Sequence, residues 1–384
     1  MTRPVFFYSQ IFLLLTILGL TITDWALCKD SDEGIFLFPT ETIKPSTYDC
    51  KYSPEPLTID GKLSPLEWET AKWTDYFVDI EGDLKEKPRF KTQVKMLWDS
   101  TYFYIAAEME EPHVWAKLTE RDAVIFYDND IEVFIDPDGD THEYYELELN
   151  AFNTVWDLFL VKPYRDGAPV TNNWDINGLL TAVDVDGTLN NPEDIDKSWS
   201  VEIAIPWKVL SECAHTTSPP NDGDVWRVNF SRVQWQTDVV NGGYVKKKDL
   251  DTGRNLPEDN WVWTPQGIIA MHYPEMWGYV RFLIDNSSDF TENETFWNLE
   301  NAKRILRKVY YAQKAHRDIY GNFTTDLNSL DSIVNFTNGM AKEVEIKTTF
   351  SGYEAILKYD DSKTVHIDHT GDIWTTLKQK TLGK

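Results

Sequence analysis

The chain has 384 residues, a formal charge of −26 and 42 % hydrophobic residues, enough for one large domain or two smaller ones with a sizeable core. The acidity excludes nucleic acid and anionic membrane surfaces as partners, since both need Lys and Arg gathered on one face. No Gly-rich phosphate loop and no Gly-x-Ser-x-Gly elbow occurs, so nucleotide binding and serine hydrolysis have no support either.

At the N-terminus Arg3 precedes an apolar run at 5–22, and Ala26-Leu27-Cys28 offers small residues for cleavage. This predicts a secretory signal peptide over 1–28 and an extracellular protein. The run is about 18 residues long, so a signal anchor is the alternative. A polar leader follows at 29–47. Once Cys28 is removed, Cys50 and Cys213 are left; in an oxidising compartment they form a disulfide or remain two separate buried thiols. Sequons at Asn229, Asn286, Asn293, Asn322 and Asn335 predict a glycoprotein, with Asn229 unmodified because it sits in a strand-like run.

Residues 48–285 read as β structure. A short strand at 57–60 leads through Gly61-Lys62-Leu63-Ser64 to a brief helix starting at Pro65. Strands flank a charged loop at 81–88, and the runs 91–97 and 102–109 form a hairpin about Trp98-Asp99-Ser100-Thr101. After an irregular excursion at 110–127 come the runs 130–135, 144–150 and 154–160. In them Ile131, Val133 and Ile135 alternate with Asp130, Glu132, Phe134 and Asp136, and Tyr145, Leu147 and Leu149 alternate with Tyr144, Glu146, Glu148 and Asn150. One face goes to a core, and the other offers carboxylates and amides to water or ligand. Further runs at 179–184, 198–205, 226–234 and 277–284 bring the total to about ten or more strands, enough for a two-sheet antiparallel β-sandwich. The composition then shifts. Thr291 caps a predicted helix running to Tyr320 and ended by Gly321, with Leu299, Ala302, Ile305, Leu306, Val309, Ala312 and Ile319 on one stripe. A small antiparallel group at 343–350, 353–359 and 364–369 closes the chain. This unit, 290–384, carries no assignable chemistry; a protein partner is what it leaves open.

The segments Asp130-Ile131-Glu132-Val133-Phe134-Ile135-Asp136 and Tyr144-Tyr145-Glu146-Leu147-Glu148-Leu149-Asn150 resemble the paired central strands of the family 9 carbohydrate-binding modules. So do Ile59-Asp60-Gly61-Lys62-Leu63 with Glu67-Trp68, the run from Trp199 to Trp207, and Trp277-Gly278-Tyr279-Val280-Arg281-Phe282. The likeness covers roughly 50–285, in the family's order. It implies non-catalytic binding of an oligo- or polysaccharide between two aromatics, over polar groups of the central strands. By position Glu132 and Asn150 match the carboxylate and amide, Asn229 a polar residue of the neighbouring strand, and Tyr273 the second aromatic. Glu148 departs from the pattern, because sugar-binding members usually carry Arg there.

Sugar recognition needs flat aromatic faces and fixed polar groups, and Trp115, Trp156, Trp174, Trp235 and Tyr273 lie in or beside loops. Sixteen Trp suit stacking, although large β cores also consume Trp. The pairs Asp130/Glu132 and Glu146/Glu148 share a face at roughly 6–7 Å, between the retaining and inverting separations, so no catalytic residue is assigned. Asp136, Asp138 and Asp140 cluster oxygens as calcium loops do, which allows a structural calcium; Asp-Gly is equally good turn chemistry. No cofactor is required: Met96, Met109, Met271 and His272 could serve haem, but no Cys-x-x-Cys-His is present. The alternatives to sugar binding are a glycoside hydrolase on the same sandwich and a protein-binding scaffold.

Overall fold

The computed structural model describes residues 43–167, 169–284, 290, 293–334, 343–360 and 362–377. The signal peptide, most of the leader, and the sequons at Asn286 and Asn335 lie outside them.

The strands are β1 (Thr47–Tyr52), β2 (Val78–Asp79), β3 (Thr92–Trp98), β4 (Tyr102–Glu110), β5 (Asp130–Asp136), β6 (Tyr144–Asn150), β7 (Val155–Leu160) and β8 (Val170–Thr171). Then follow β9 (Leu180–Asp186), β10 (Ser198–Pro206), the single helical turn α1 (Trp207–Leu210), β11 (Val225–Gln234), β12 (Thr237–Val240), β13 (Gly243–Lys246), β14 (Asp259–Val262) and β15 (Gly278–Leu283). They form one curled sheet in the order β8-β7-β6-β5-β11-β15-β1-β3-β4-β10-β9, with β14 beside β11, β2 beside β14, and β12–β13 as a separate hairpin. The pairings are antiparallel except at β1, which runs parallel to both β15 and β3. β1 therefore joins the two halves of the sandwich, where the sequence predicts two sheets of antiparallel strands alone.

The alternation predicted the core. Ile131, Val133 and Ile135 of β5, Tyr145, Leu147 and Leu149 of β6, and Val228 and Phe230 of β11 meet Val94, Met96, Ile105, Ala107, Val201 and Ile203 of the facing half. Aromatic rings close one end: Trp207 packs edge-on against Trp98, Trp226 and Phe282 at centroid distances of 6.2, 5.4 and 5.5 Å and stacks on Phe103. Such pairs add about 0.5–1.5 kcal/mol each beyond burial. Ten of the sixteen Trp are buried, so most of the Trp excess serves packing.

On the far face of β10, fully buried Glu202 accepts bonds from Asp60 N (2.8 Å), Gly61 N (2.9 Å) and Trp68 Nε1 (2.8 Å). Gly61 has φ +84°, and a Cβ there would lie 2.6 Å from the Val183 carbonyl carbon. The Ile59-Asp60-Gly61 turn and Trp68 are thus a structural staple. Residues 57–60 form no strand, and Pro65 opens a series of turns, because this segment is held by side-chain bonds rather than by a ladder.

The C-terminal unit comprises α2 (Glu294–Tyr320), α3 (Leu327–Val334) and an antiparallel sheet, β16 (Val344–Thr348), β17 (Tyr353–Lys358), β18 (Lys363–Asp368) and β19 (Ile373–Leu377), one strand more than predicted. The predicted cap Thr291 lies outside the described residues. Asn293 caps α2 through Phe296 N, and Gly321 ends it at φ +79°. Ala302, Leu306, Val309 and Ala312 are buried as the stripe predicts, whereas Ile319 near the helix end is 51 % exposed. The unit shares its core with Tyr273 and Met276 from the segment before β15.

Candidate functional site

Register across β11, β5, β6 and β7 sets Ser231, Glu132, Glu148 and Trp156 in one row. The next row holds Asn229, Phe134, Glu146 and Leu158, and on the other side Asp130 stands between Val233 and Asn150. Glu132 and Glu148 are directly opposite each other, where Cβ atoms lie about 4.5–5.5 Å apart and like charges repel.

This face does not meet water as the alternation predicts: every residue of β5 and β6 is buried. Asp130, Glu132, Glu146 and Glu148 are 0, 6, 3 and 2 % exposed. Loops cause the difference. Trp277 and Met271 pack with Phe134, Tyr144, Leu158 and Trp156 over one end, while Trp115, Phe126, Trp235 and Tyr244 gather about Val233 at the other.

Burial sets the electrostatics. It pushes the Glu132 carboxyl up to about 7, although the Ser231 hydroxyl beside it favours the charged form. It raises Asp130, Glu146 and Glu148 well above the usual carboxylate range, and the charge on Glu132 adds to each. Compensation is sparse. Asp130 Oδ1 accepts from Val233 N at 3.3 Å and Glu148 Oε2 from Phe126 N at 2.9 Å. Asp130 Oδ2, Glu146 Oε2 and Trp156 Nε1 are buried with no hydrogen-bond partner. His272 approaches Glu146 at 3.9 Å, but burial, then Arg165, lowers its pKa to about 3, so it is neutral; its Nδ1 pairs with the Tyr144 hydroxyl at 2.9 Å. Lys246 lies over the Trp235 ring at 3.2 Å, and desolvation lowers its pKa to about 8.

Partly open rings border this floor. Trp156 is half-buried, Tyr127 is 54 % exposed and Tyr164 is 41 % exposed. Burial and then the charges of Glu146 and Glu148 raise the Tyr164 hydroxyl, which places that ring near the carboxylate rows.

The structure brings together only part of the predicted set. Glu132 and Trp156 share the row, and Trp115 and Trp235 flank it, the latter donating from Nε1 to the Phe126 carbonyl at 2.8 Å. Asn150 is fully engaged elsewhere: it donates to the Leu118 carbonyl and Asp128 and accepts from Phe152 N and Thr154 N. Asn229 is buried and bonded in both directions to the Thr264 backbone, at 2.9 and 3.0 Å, which also closes its sequon to a glycan. Trp174 stacks on Tyr145 on the core side and donates to Glu212. Tyr273 is fully buried and stacks on Tyr311 of α2 at 5.9 Å, in the junction with the C-terminal unit. Ser231, Tyr127, Tyr164 and Lys246 were not singled out in the sequence; only Ser231 sits at a strand position that alternation could have marked.

Two further expectations resolve differently. Cys50 is buried in the core on β1, Cys213 is half-buried after α1, and both are free thiols, the second of the two readings the sequence allowed. The oxygens of Asp136, Asp138 and Asp140 lie within 4.8 Å of one another. Asp136 accepts from Gly139 N (2.9 Å) and Thr141 N (3.0 Å), and Lys303 of α2 reaches the Gly139 carbonyl at 3.2 Å. Burial, then Asp136, pushes Asp138 up to about 9 and Asp140 to about 7.

Among solved structures, a candidate carbohydrate-binding protein from Bacteroides uniformis aligns over 62 % of this chain and 100 % of its own, at 15 % identity and a TM-score of 0.46. A family 9 carbohydrate-binding module from Caldicellulosiruptor kristjanssonii, in complex with cellotriose, aligns over 63 % of this chain and 96 % of its own at 14 % identity and a TM-score of 0.37. Its complex with glucose aligns over 64 % and 100 %, with the same identity and TM-score. No curated protein matches the sequence. The family model described as carbohydrate family 9 binding domain-like matches residues 59–231, which span the sheet from before β2 to β11 and include both carboxylate strands. Residues 59–231 are therefore similar to the carbohydrate family 9 binding domain-like family.

Proposed function

We propose that this protein binds a neutral oligo- or polysaccharide without transforming it, and that it is exported by the signal peptide at 1–28. The observation that carries the reading is the row Ser231, Glu132, Glu148 and Trp156 beneath the partly open rings of Tyr127 and Tyr164, inside the family module. Aromatic faces suit pyranose C–H groups, and unpartnered donors and acceptors at their base suit hydroxyls. Trp156 Nε1 is such a group. No helix among the described residues is long and apolar enough to cross a membrane, which is compatible with export.

A hydrolase on this face is disfavoured on physical grounds. Glycoside cleavage needs one ionised carboxylate beside one protonated acid. Here Asp130, Glu132, Glu146 and Glu148 are only 0, 6, 3 and 2 % exposed, so neither an acid nor a base on this face meets a glycosidic bond.

The test is a glycan array with the full secreted chain, beside Trp156→Ala and Tyr164→Ala. Each variant should keep the wild-type circular dichroism and weaken binding by about tenfold. A folded chain that binds no glycan, or variants that bind as well as wild type, would overturn the reading. N-terminal sequencing of the secreted chain checks the leader: a start after residue 28 is expected, and a start at Met1 refutes cleavage.

A further inference from the structure

A cleft of about 440 Å³ opens where the C-terminal unit meets the sandwich, a volume within the range of small-molecule sites. Its walls come from α2, from Arg227 of β11 and Tyr279 of β15, and from Lys44 and Pro45 just before β1. Trp297, Glu300, Arg304 and Arg307 recur three or four residues apart, so α2 turns them to one side. In a chain of charge −26 this lining holds five cations and only two carboxylates, Glu275 and Glu300. Both carboxylates are already engaged. Glu275 holds Arg165 at 2.9 Å, from outside the lining, and Glu300 holds Arg227 at 2.8 Å and Lys303 at 3.4 Å.

Among the described residues the other cations form no ion pair. Arg307, 3 % exposed, donates to neutral oxygens: the Gly371 and Asp140 carbonyls and the Thr141 hydroxyl. Half-buried Arg304 makes one long bond, to the Ile43 carbonyl at 3.4 Å, although a guanidinium carries five N–H donors. Exposed Lys44 completes the group. Asp136, Asp138 and Asp140 do not line the cleft. Buried charge is ordinarily paired, so this excess of cations leaves room for an anion.

We propose that the cleft binds an acidic saccharide, its carboxylate or sulfate held by Arg304 and Lys44 and its ring set against Trp297. A planar guanidinium matches either oxyanion bidentately, and an ammonium adds a point charge. Trp297 is half-buried and stands edge-on to Tyr279 at 5.2 Å, a fixed aromatic wall for sugar C–H groups. Only the sugar ring rests on the carbohydrate reading above; the anion rests on the cations of this cleft, which lies apart from the β5–β6 row.

The experiment is calorimetry on the full chain with a galacturonate trimer, a sulfated disaccharide, cellotriose and inorganic sulfate. Arg304→Gln, Lys44→Gln and Trp156→Ala are compared with wild type, and Lys62→Gln, at an exposed position outside the cleft, controls for net charge. One of the two acidic sugars should bind, more weakly as salt rises, and which one binds separates carboxylate from sulfate. Arg304→Gln and Lys44→Gln should each weaken it about tenfold with unchanged circular dichroism, while Lys62→Gln and Trp156→Ala leave it intact. Cellotriose should not compete with it. Binding of neither acidic sugar, or binding that ignores both cleft variants, would overturn the proposal. Loss in Trp156→Ala alone would move the ligand to the β5–β6 row, and sulfate binding as tightly as the sulfated sugar would remove the ring from the site; either result also overturns it.

Discussion

Two regions of this molecule bury charge, and they do so in opposite ways. At the junction between the sandwich and α2, each buried carboxylate has a cation. Glu275 takes Arg165 at 3.1 and 2.9 Å and also accepts from the Tyr311 hydroxyl. Glu300 takes Arg227 at 2.8 Å and the Tyr279 hydroxyl at 2.9 Å. Burial alone would raise both carboxyls; Arg165 for Glu275, and Lys303 with Arg227 for Glu300, bring them below the ordinary range. Among the described residues no Lys or Arg forms an ion pair with Asp130, Glu132, Glu146 or Glu148, and these carboxyls rise. Compensated charge holds two units together. Uncompensated carboxyls cost stability as they stand, and strongly raised ones mark candidate functional sites.

The largest expected effect follows directly. Arg165→Ala leaves Glu275 buried and unpaired, which should cost about 3–5 kcal/mol. Glu148→Gln removes a buried carboxyl whose ionisation burial and the neighbouring carboxylates oppose, so it should match or exceed wild-type stability. Guanidinium unfolding with an unchanged slope measures both. Equal destabilisation by the two would erase the distinction between the regions.

The pH dependence separates them next. Glu132, near 4.5 when unfolded and about 7 when folded, binds more protons in the native state between those values. Stability therefore falls as pH rises through that window, by about 3 kcal/mol for this group. Glu275 and Glu300 have depressed pKa values, so their contribution is present above about pH 4.5 and disappears as pH falls below it. A stability maximum near pH 5 is expected. Unfolding midpoints from pH 4 to 8 check this; a maximum at pH 8 would contradict the raised carboxyls.

The sequence carried the strand runs, the core face of β5, β6 and β10, the long helix and the family likeness, because a period of two or 3.6 is local information. It carried the carboxylate pairs too, but not their burial. Alternation says which residues leave the core, and here Trp277, Phe126 and Trp235, far apart in sequence, cover the face that alternation would leave wet. For the same reason Asn150, Asn229 and Tyr273 read as ligands: a polar or aromatic residue at the family's position looks the same whether it faces a sugar or bonds to Leu118, Thr264 or Tyr311. The opposition of Glu132 and Glu148 needed only register, and register was within reach of the hairpin pattern.

The smallest effect tests where the two regions touch. Lys303 sends its ammonium from α2 to the Gly139 and Asp138 carbonyls, at 3.2 and 3.5 Å, and to Glu300 at 3.4 Å. Its side chain is 16 % exposed, so water moderates the loss. Lys303→Met keeps the aliphatic stem and removes the charge. Glu300 retains Arg227, so the junction remains compensated, and the cost should be about 1–2 kcal/mol. The carboxylates of Asp136, Asp138 and Asp140 would then have lost a cation that lowers Asp136 and Asp138, and the Asp138 carboxyl should rise further. Urea unfolding at pH 6 and pH 8 reads both quantities: a modest loss at pH 6 that grows at pH 8 is expected. A loss as large as that of Arg165→Ala would show the loop to depend on one ammonium, and would place it with the compensated region rather than at its border.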